Sequence, residues 1–251
     1  MPEGASMTHP FELNQEIELA ATPEQVWDAI ATGPGVDSWF MGHSEFGTSA
    51  GEPAFLTVMG RTEQSTITAY EPGARLGMRG EEAPDGRFMA TEYLIEGRGS
   101  GTTVLRIVHS GVLGDDWETE FEAMKAGWPL YLRTLGQYLA HFTGRTPSVT
   151  TVFRPGAGGA DATWKTVTEA LGVTPDVGEG DEVHLPDGST GVVYHVIPHA
   201  GLGVRTGQGL YRFVHSGDDR GDVLYLGHQN FTGRDEQAAW DAWTAERFGR
   251  R

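Results

Sequence analysis

His109 lies in the run VLRIVHSG, from Val104 to Gly111, on the same side of a β-strand as Leu105 and Ile107, so its imidazole points into an apolar interior. A neutral imidazole in that position orients a ligand carbonyl or phenol. It becomes a general base if its pKa stays near neutrality and a substrate proton lies within hydrogen-bond reach, with Tyr93 as its acid–base companion. No carboxylate stands close to it in sequence, which favours a structural histidine bonded to backbone.

Other arrangements of reactive residues lack the context their chemistry needs. Gly47-Thr48-Ser49-Ala50-Gly51 has the spacing of a nucleophile elbow, but a strand-like stretch follows it where the elbow requires a helix. Gly201, Gly203, Gly207 and Gly209 resemble a phosphate loop, yet no helix start follows and no Lys-Ser/Thr pair completes it; a glycine-rich hairpin is expected. His184, His195, His199, His215 and His228 crowd the second half without an HExxH pattern, and no metal or cofactor is expected. The chain has no cysteine, which excludes disulfides, thiolate nucleophiles and Cys-based zinc sites.

The elements that position these groups are legible in the periodicity. Phe11 to Ala20 alternates as a strand, and Thr22-Pro23-Glu24-Gln25 supplies an N-cap, a proline at N1 and a capping-box Gln for a helix buried through Val26, Trp27 and Ile30. Gly33-Pro34 is expected to stop it, with a second short helical turn at 36–40. Five β-rich runs follow, at 55–59, 64–70, 75–79, 88–96 and 102–110, spaced as an antiparallel meander. Asp116 to Phe142 then carries Phe121, Met124, Trp128, Leu132, Leu135, Leu139 and Phe142 at three- and four-residue spacing, a helix of roughly 40 Å with Pro129 inside it, where a bend is expected.

The same order recurs in shorter form after a linker at 144–147. Trp27 and Ile30 match Trp164 and Val167 at an offset of 137, while Val104–Met124 aligns without a gap to Val223–Trp243 at an offset of 119, His109 on His228 and Gly114 on Gly233. The falling offset removes 18 residues from the second copy, which has no counterpart of Asp37-Ser38-Trp39-Phe40. Two domains are expected, a complete one at 8–143 and a shortened, degenerate one at 148–251.

This order of elements, with WF at 39–40, HSG at 109–111 and GWPLYL at 127–132, resembles the START-like (SRPBCC) superfamily, and within it the group named for the activator of heat-shock-protein-90 ATPase. The resemblance covers residues 8 to 143 well and 148 to 251 in outline. It implies an α+β fold of two helix-grip domains, each an antiparallel sheet curved around a C-terminal helix. It also implies an internal cavity for lipids, polyketides, aromatic metabolites or hormones, with some members acting as cyclases or hydrolases.

The expected ligand is therefore a small apolar or aromatic molecule held in the first domain. The candidate pocket residues are Trp39, Phe40, Phe55, Met59, Met78, Met89, Tyr93, His109, Met124, Trp128 and Tyr131, aromatic and methionine side chains that suit a flat apolar ligand and that also make ordinary core. Whether the domain is an enzyme is left open; a polyketide-cyclase- or hydrolase-like activity using His109 and a chaperone-associated interaction module are the alternatives. The net charge of −17 is spread over both halves, 21 acids against 9 bases in residues 1–145 and 14 against 9 in 146–251. Such a field disfavours nucleic acid and anionic membranes as partners, while a protein partner with a basic patch remains compatible. The opening residues carry no leader-like pattern and no apolar run reaches 18 residues, so a cytoplasmic protein is expected.

Overall fold

A computed structural model describes residues 8–249. The expected end of the second domain at Arg251 and most of the opening segment, Met1 to Met7, lie outside the described residues. Thirteen strands and five α-helices are present among them.

Strand β1 (His9–Leu19) alternates buried Phe11 and Leu13 with exposed Glu12 and Asn14, as a half-buried strand must. Helix α1 (Pro23–Ala31) starts with the full capping box: Gln25 N–H donates to the Thr22 hydroxyl, and the Thr22 N–H donates to the Gln25 side chain. Helix α1 ends ahead of Gly33-Pro34, as expected, but the same pair also opens helix α2 (Gly33–Asp37), ahead of the second turn expected at 36–40. Thr32 explains this, because its hydroxyl closes α1 by donating to Asp28 O and caps α2 by accepting from Gly35 N–H, leaving Pro34 in a first turn that tolerates it. Gly35 has no room for a side chain, since a Cβ would stand 2.0 Å from Asp28 O.

Strands β2 (His43–Phe46), β3 (Pro53–Val58), β4 (Arg61–Glu71), β5 (Arg75–Gly80), β6 (Phe88–Gly99) and β7 (Thr102–Leu113) complete a seven-stranded antiparallel sheet of order β1-β7-β6-β5-β4-β3-β2. The meander expected from the sequence is there, with β2 as an additional edge strand. Helix α3 (Trp117–His141) follows, 25 residues with Pro129 inside, within one residue of the expected limits at each end.

The second sheet comprises β8 (Ser148–Arg154), β9 (Glu182–His184), β10 (Thr190–Ile197), β11 (Gly201–Thr206), β12 (Gly209–His215) and β13 (Leu224–Asn230). Its order, β8-β13-β12-β11-β10-β9, repeats the plan of the first: the opening strand pairs with the last, and the others run back in sequence. Helix α4 (Ala160–Ala170) follows its first strand and helix α5 (Gln237–Phe248) its last. The fold is α+β, two antiparallel sheets each with its own helices, as the sequence implies. The glycine-rich segment is the β11–β12 hairpin.

Contacts divide the chain into one unit of residues 1–36 and 43–132 and a second of residues 37–42 and 133–251. The core of the second unit gathers Trp164 and Val167 of α4 with its C-cap Leu171, Leu202, Val204, Phe213 and Leu226 of the sheet, and Trp240 and Phe248 of α5.

Candidate functional site

The register of the first sheet fixes which side chains share a face. One cross-strand row runs Leu13, His109, Thr91, Met78, Ile67, and the next runs through Ile107, Tyr93 and Leu76. Side chains in such rows stand about 5 Å apart, so Met78, Tyr93 and His109 line one surface. Met89 shares that face, opposite Gly111, which in turn faces Phe11. Gly111 is required there: a Cβ would lie 2.1 Å from Phe88 O. The glycine of the HSG run thus lets β6 approach β7 and leaves the row between Phe11 and Met89 without a side chain at its middle position.

Helix α3 meets this face through Phe121 and Trp128, and the three- and four-residue spacing puts Met124 and Tyr131 on the same side of the helix. Phe121 meets Phe11 edge-on at 6.3 Å, and Trp128 meets His109 edge-on at 5.8 Å. Trp128 Nε1–H donates to His109 Nδ1 at 3.1 Å. No other hydrogen bond to the His109 ring is present among the described residues. His109 is 9% exposed, and burial lowers its pKa from 6.5 to about 4. Burial likewise raises the Tyr93 phenol above its ordinary range. Both groups are neutral at pH 7.

Not every candidate joins this face. Phe55 pairs with Glu45 and Gln64, one residue out of phase with buried Ala54 and Ile67, and so lies on the opposite side of the sheet; the inward neighbours are Ala54 and Leu56. Met59 is not on a strand. It occupies the two-residue turn between β3 and β4 with φ +53, ahead of Gly60 at φ +73, and is 66% exposed. Trp39 and Phe40 belong by contacts to the second unit. There Arg212, at 0% exposure, donates from Nη1 to Trp39 O at 2.9 Å and from Nη2 to Phe40 O at 3.2 Å, and Gln229 Nε2 donates to Phe40 O at 2.8 Å. Sequence reasoning passed over Arg212. Its one signal was an arginine inside the otherwise apolar strand GLYRFVH.

In the second unit His228, the repeat counterpart of His109, is buried and stacked on Tyr211 at 3.8 Å; burial above all lowers its pKa to about 3. Its Nδ1 stands 3.3 Å from Glu236 Oε2 without hydrogen-bond geometry. His215, Asp218 and Asp222 bring ligand-type atoms within 4.8 Å of one another. Both His215 nitrogens are engaged, however, Nδ1 accepting from Gly217 N–H and Nε2 donating to Gly158 O, and Asp218 accepts from Ala160 N–H, which leaves no vacant ligand set. A small space lined by Trp164, His199, Phe213 and His215 has room for about one water. No helix among the described residues is long and apolar enough to cross a membrane.

Residues 10–130 match the family model described as polyketide cyclase / dehydrase and lipid transport. Among solved structures, the chain is similar to the di-domain ARO/CYC protein BexL from the BE-7585A biosynthetic pathway (12% identity, 96% of this chain and 99% of that one, TM-score 0.47). It is also similar to DynU16, from the dynemicin biosynthetic locus (19%, 94% and 96%, 0.46), and to Aha1 of Colwellia psychrerythraea (19%, 51% and 96%, 0.43). No curated protein matches its sequence. The match over 10–130, the WF, HSG and GWPLYL runs and the strand order agree, and residues 10–130 belong to the START-like superfamily.

Proposed function

We propose that the first domain binds a small apolar or aromatic molecule on the inner face of its sheet, beneath helix α3. The observation that carries this reading is the uneven filling of that face. Around Leu76, Leu105 and Ile107 it is closed as tightly as any core. Towards Leu56, Val58, Met78, Phe121 and Met124 the apolar side chains are only half-buried, and Met89 is 43% exposed. A contiguous inner surface that folding leaves partly in water gains about 25 cal/mol per Å² when a ligand covers it, which is how such sites obtain their affinity. Methionines at three of these positions let the surface conform to a flat ligand.

Native mass spectrometry of the purified protein, set against its denatured mass, tests the reading. A co-purified small molecule supports it and identifies the class. An empty protein that also shows no thermal shift with a panel of apolar aromatic compounds and lipids refutes it.

A further inference from the structure

Trp128 determines what His109 can do. An indole N–H is a donor only, so the nitrogen that receives it must carry a lone pair. That nitrogen is Nδ1, 3.1 Å away. A neutral imidazole with its lone pair at Nδ1 has its hydrogen at Nε2. Nε2 makes no hydrogen bond within the described residues, yet it is not among the polar atoms sealed from solvent. A ring that is otherwise enclosed by Phe11, Trp128 and its strand neighbours therefore keeps one N–H accessible and unspent.

We infer that Trp128 is a positioning residue which holds His109 as an Nε2–H donor, so that the apolar ligand of this face is one bearing a hydrogen-bond acceptor, a ketone, quinone or phenolate oxygen, which His109 grips. This rests on the reading of the first domain as a small-molecule site. It also opposes a general-base role for His109: a base at Nε2 requires the hydrogen at Nδ1, where it would point at the Trp128 N–H. The depressed basicity of the buried ring acts in the same direction, because a weak base is a poor proton acceptor at neutral pH.

Two measurements decide it. The first needs no ligand: long-range ¹H–¹⁵N NMR of the His109 ring at pH 7, in the parent and in Trp128→Phe. The Nε2–H tautomer is expected in the parent, and a mixture of tautomers in Trp128→Phe, whose far-UV spectrum controls for folding. An Nδ1–H or a charged ring in the parent overturns the assignment whatever the variant does. The second compares fluorenone with fluorene, which share shape and differ by one carbonyl, by titration calorimetry. Fluorenone is expected to bind about 10-fold more tightly, the worth of one buried hydrogen bond. That advantage is expected to vanish in His109→Phe while fluorene binding persists. Equal affinities in the parent overturn the acceptor preference and leave the site standing. Binding of neither compound refutes the apolar site and the preference together, and the tautomer result then judges Trp128 alone.

Discussion

The Arg212 guanidinium donates to the main-chain carbonyl of Trp39 across 173 positions of sequence, from the middle of strand β12 to the turn that follows α2. The same guanidinium reaches Phe40 O and the Tyr225 hydroxyl, and Gln229 adds a second donor to Phe40 O. Glycines make the space: a Cβ on Gly227 would meet the Tyr225 hydroxyl at 2.2 Å and Arg212 Nη2 at 2.9 Å. Arg212→Met removes donors from a buried polar network and is expected to destabilise the second unit by about 3 kcal/mol. Arg212→Lys should recover little of it, because a single ammonium cannot serve two carbonyls and a phenol in the geometry of a planar fork. Urea unfolding followed by fluorescence measures both; an Arg212→Met protein as stable as the parent refutes the role given to this network.

Stability should fall on mild acidification. His109 and His228 are held at about 4 and about 3 in the folded chain, both chiefly by burial, against 6.5 for a free imidazole. Between pH 6.5 and those values the unfolded chain binds protons that the folded chain refuses, so stability is lost as pH drops through this window and levels off below it. At pH 5 each ring accounts for about 2 kcal/mol. Urea midpoints at pH 7 and pH 5 test this. His109→Gln should lose about 2 kcal/mol less than the parent between those two values, and an unchanged pH dependence in that variant contradicts the burial of the ring.

The parts of the structure that local chemistry determines were legible in advance. The capping box at Thr22 and Gln25 announced α1, and the segment Asp116 to Phe142 with its three- and four-residue spacing matched α3 to within a residue at each end, because both signals lie in or next to the element they specify. Gly33-Pro34 marked the end of α1 but not the start of α2, since glycine and proline suit a first helical turn as well as a stop, and only the double use of Thr32 reveals that they serve as both. Phe55 was placed on the wrong face because a short apolar run does not declare its register, and pairing with β4 does. The partner of His109 is not a carboxylate near it in sequence. It is an indole on a helix 19 residues later, brought to it by the packing of α3 on β7. The tie between Arg212 and Trp39 had no local signal beyond a charge in an apolar strand.

Thr22→Ala removes the hydroxyl that accepts from Gln25 N–H and so opens the capping box at its more important end. A loss of about 1 kcal/mol is expected, with Thr22→Ser close to neutral because it retains the oxygen. Differential scanning calorimetry distinguishes the two, and equal losses in both variants assign the effect to packing of the threonine methyl instead.

Met59 offers a test of which methionines face a ligand. It stands in a left-handed conformation at the first position of a two-residue hairpin turn, where a side chain with a Cβ is disfavoured by about 1 kcal/mol and asparagine is tolerated best. Met59→Asn should therefore stabilise the domain by about 0.5 kcal/mol, and, being exposed in a turn, should leave fluorenone binding unchanged. Met78 lies in the same cross-strand row as His109, so Met78→Ala should weaken fluorenone several-fold through lost apolar contact. Calorimetric titration of the two variants side by side makes the comparison. Weakened binding in Met59→Asn with none in Met78→Ala would move the ligand off the inner face of the sheet and out to the β3–β4 turn.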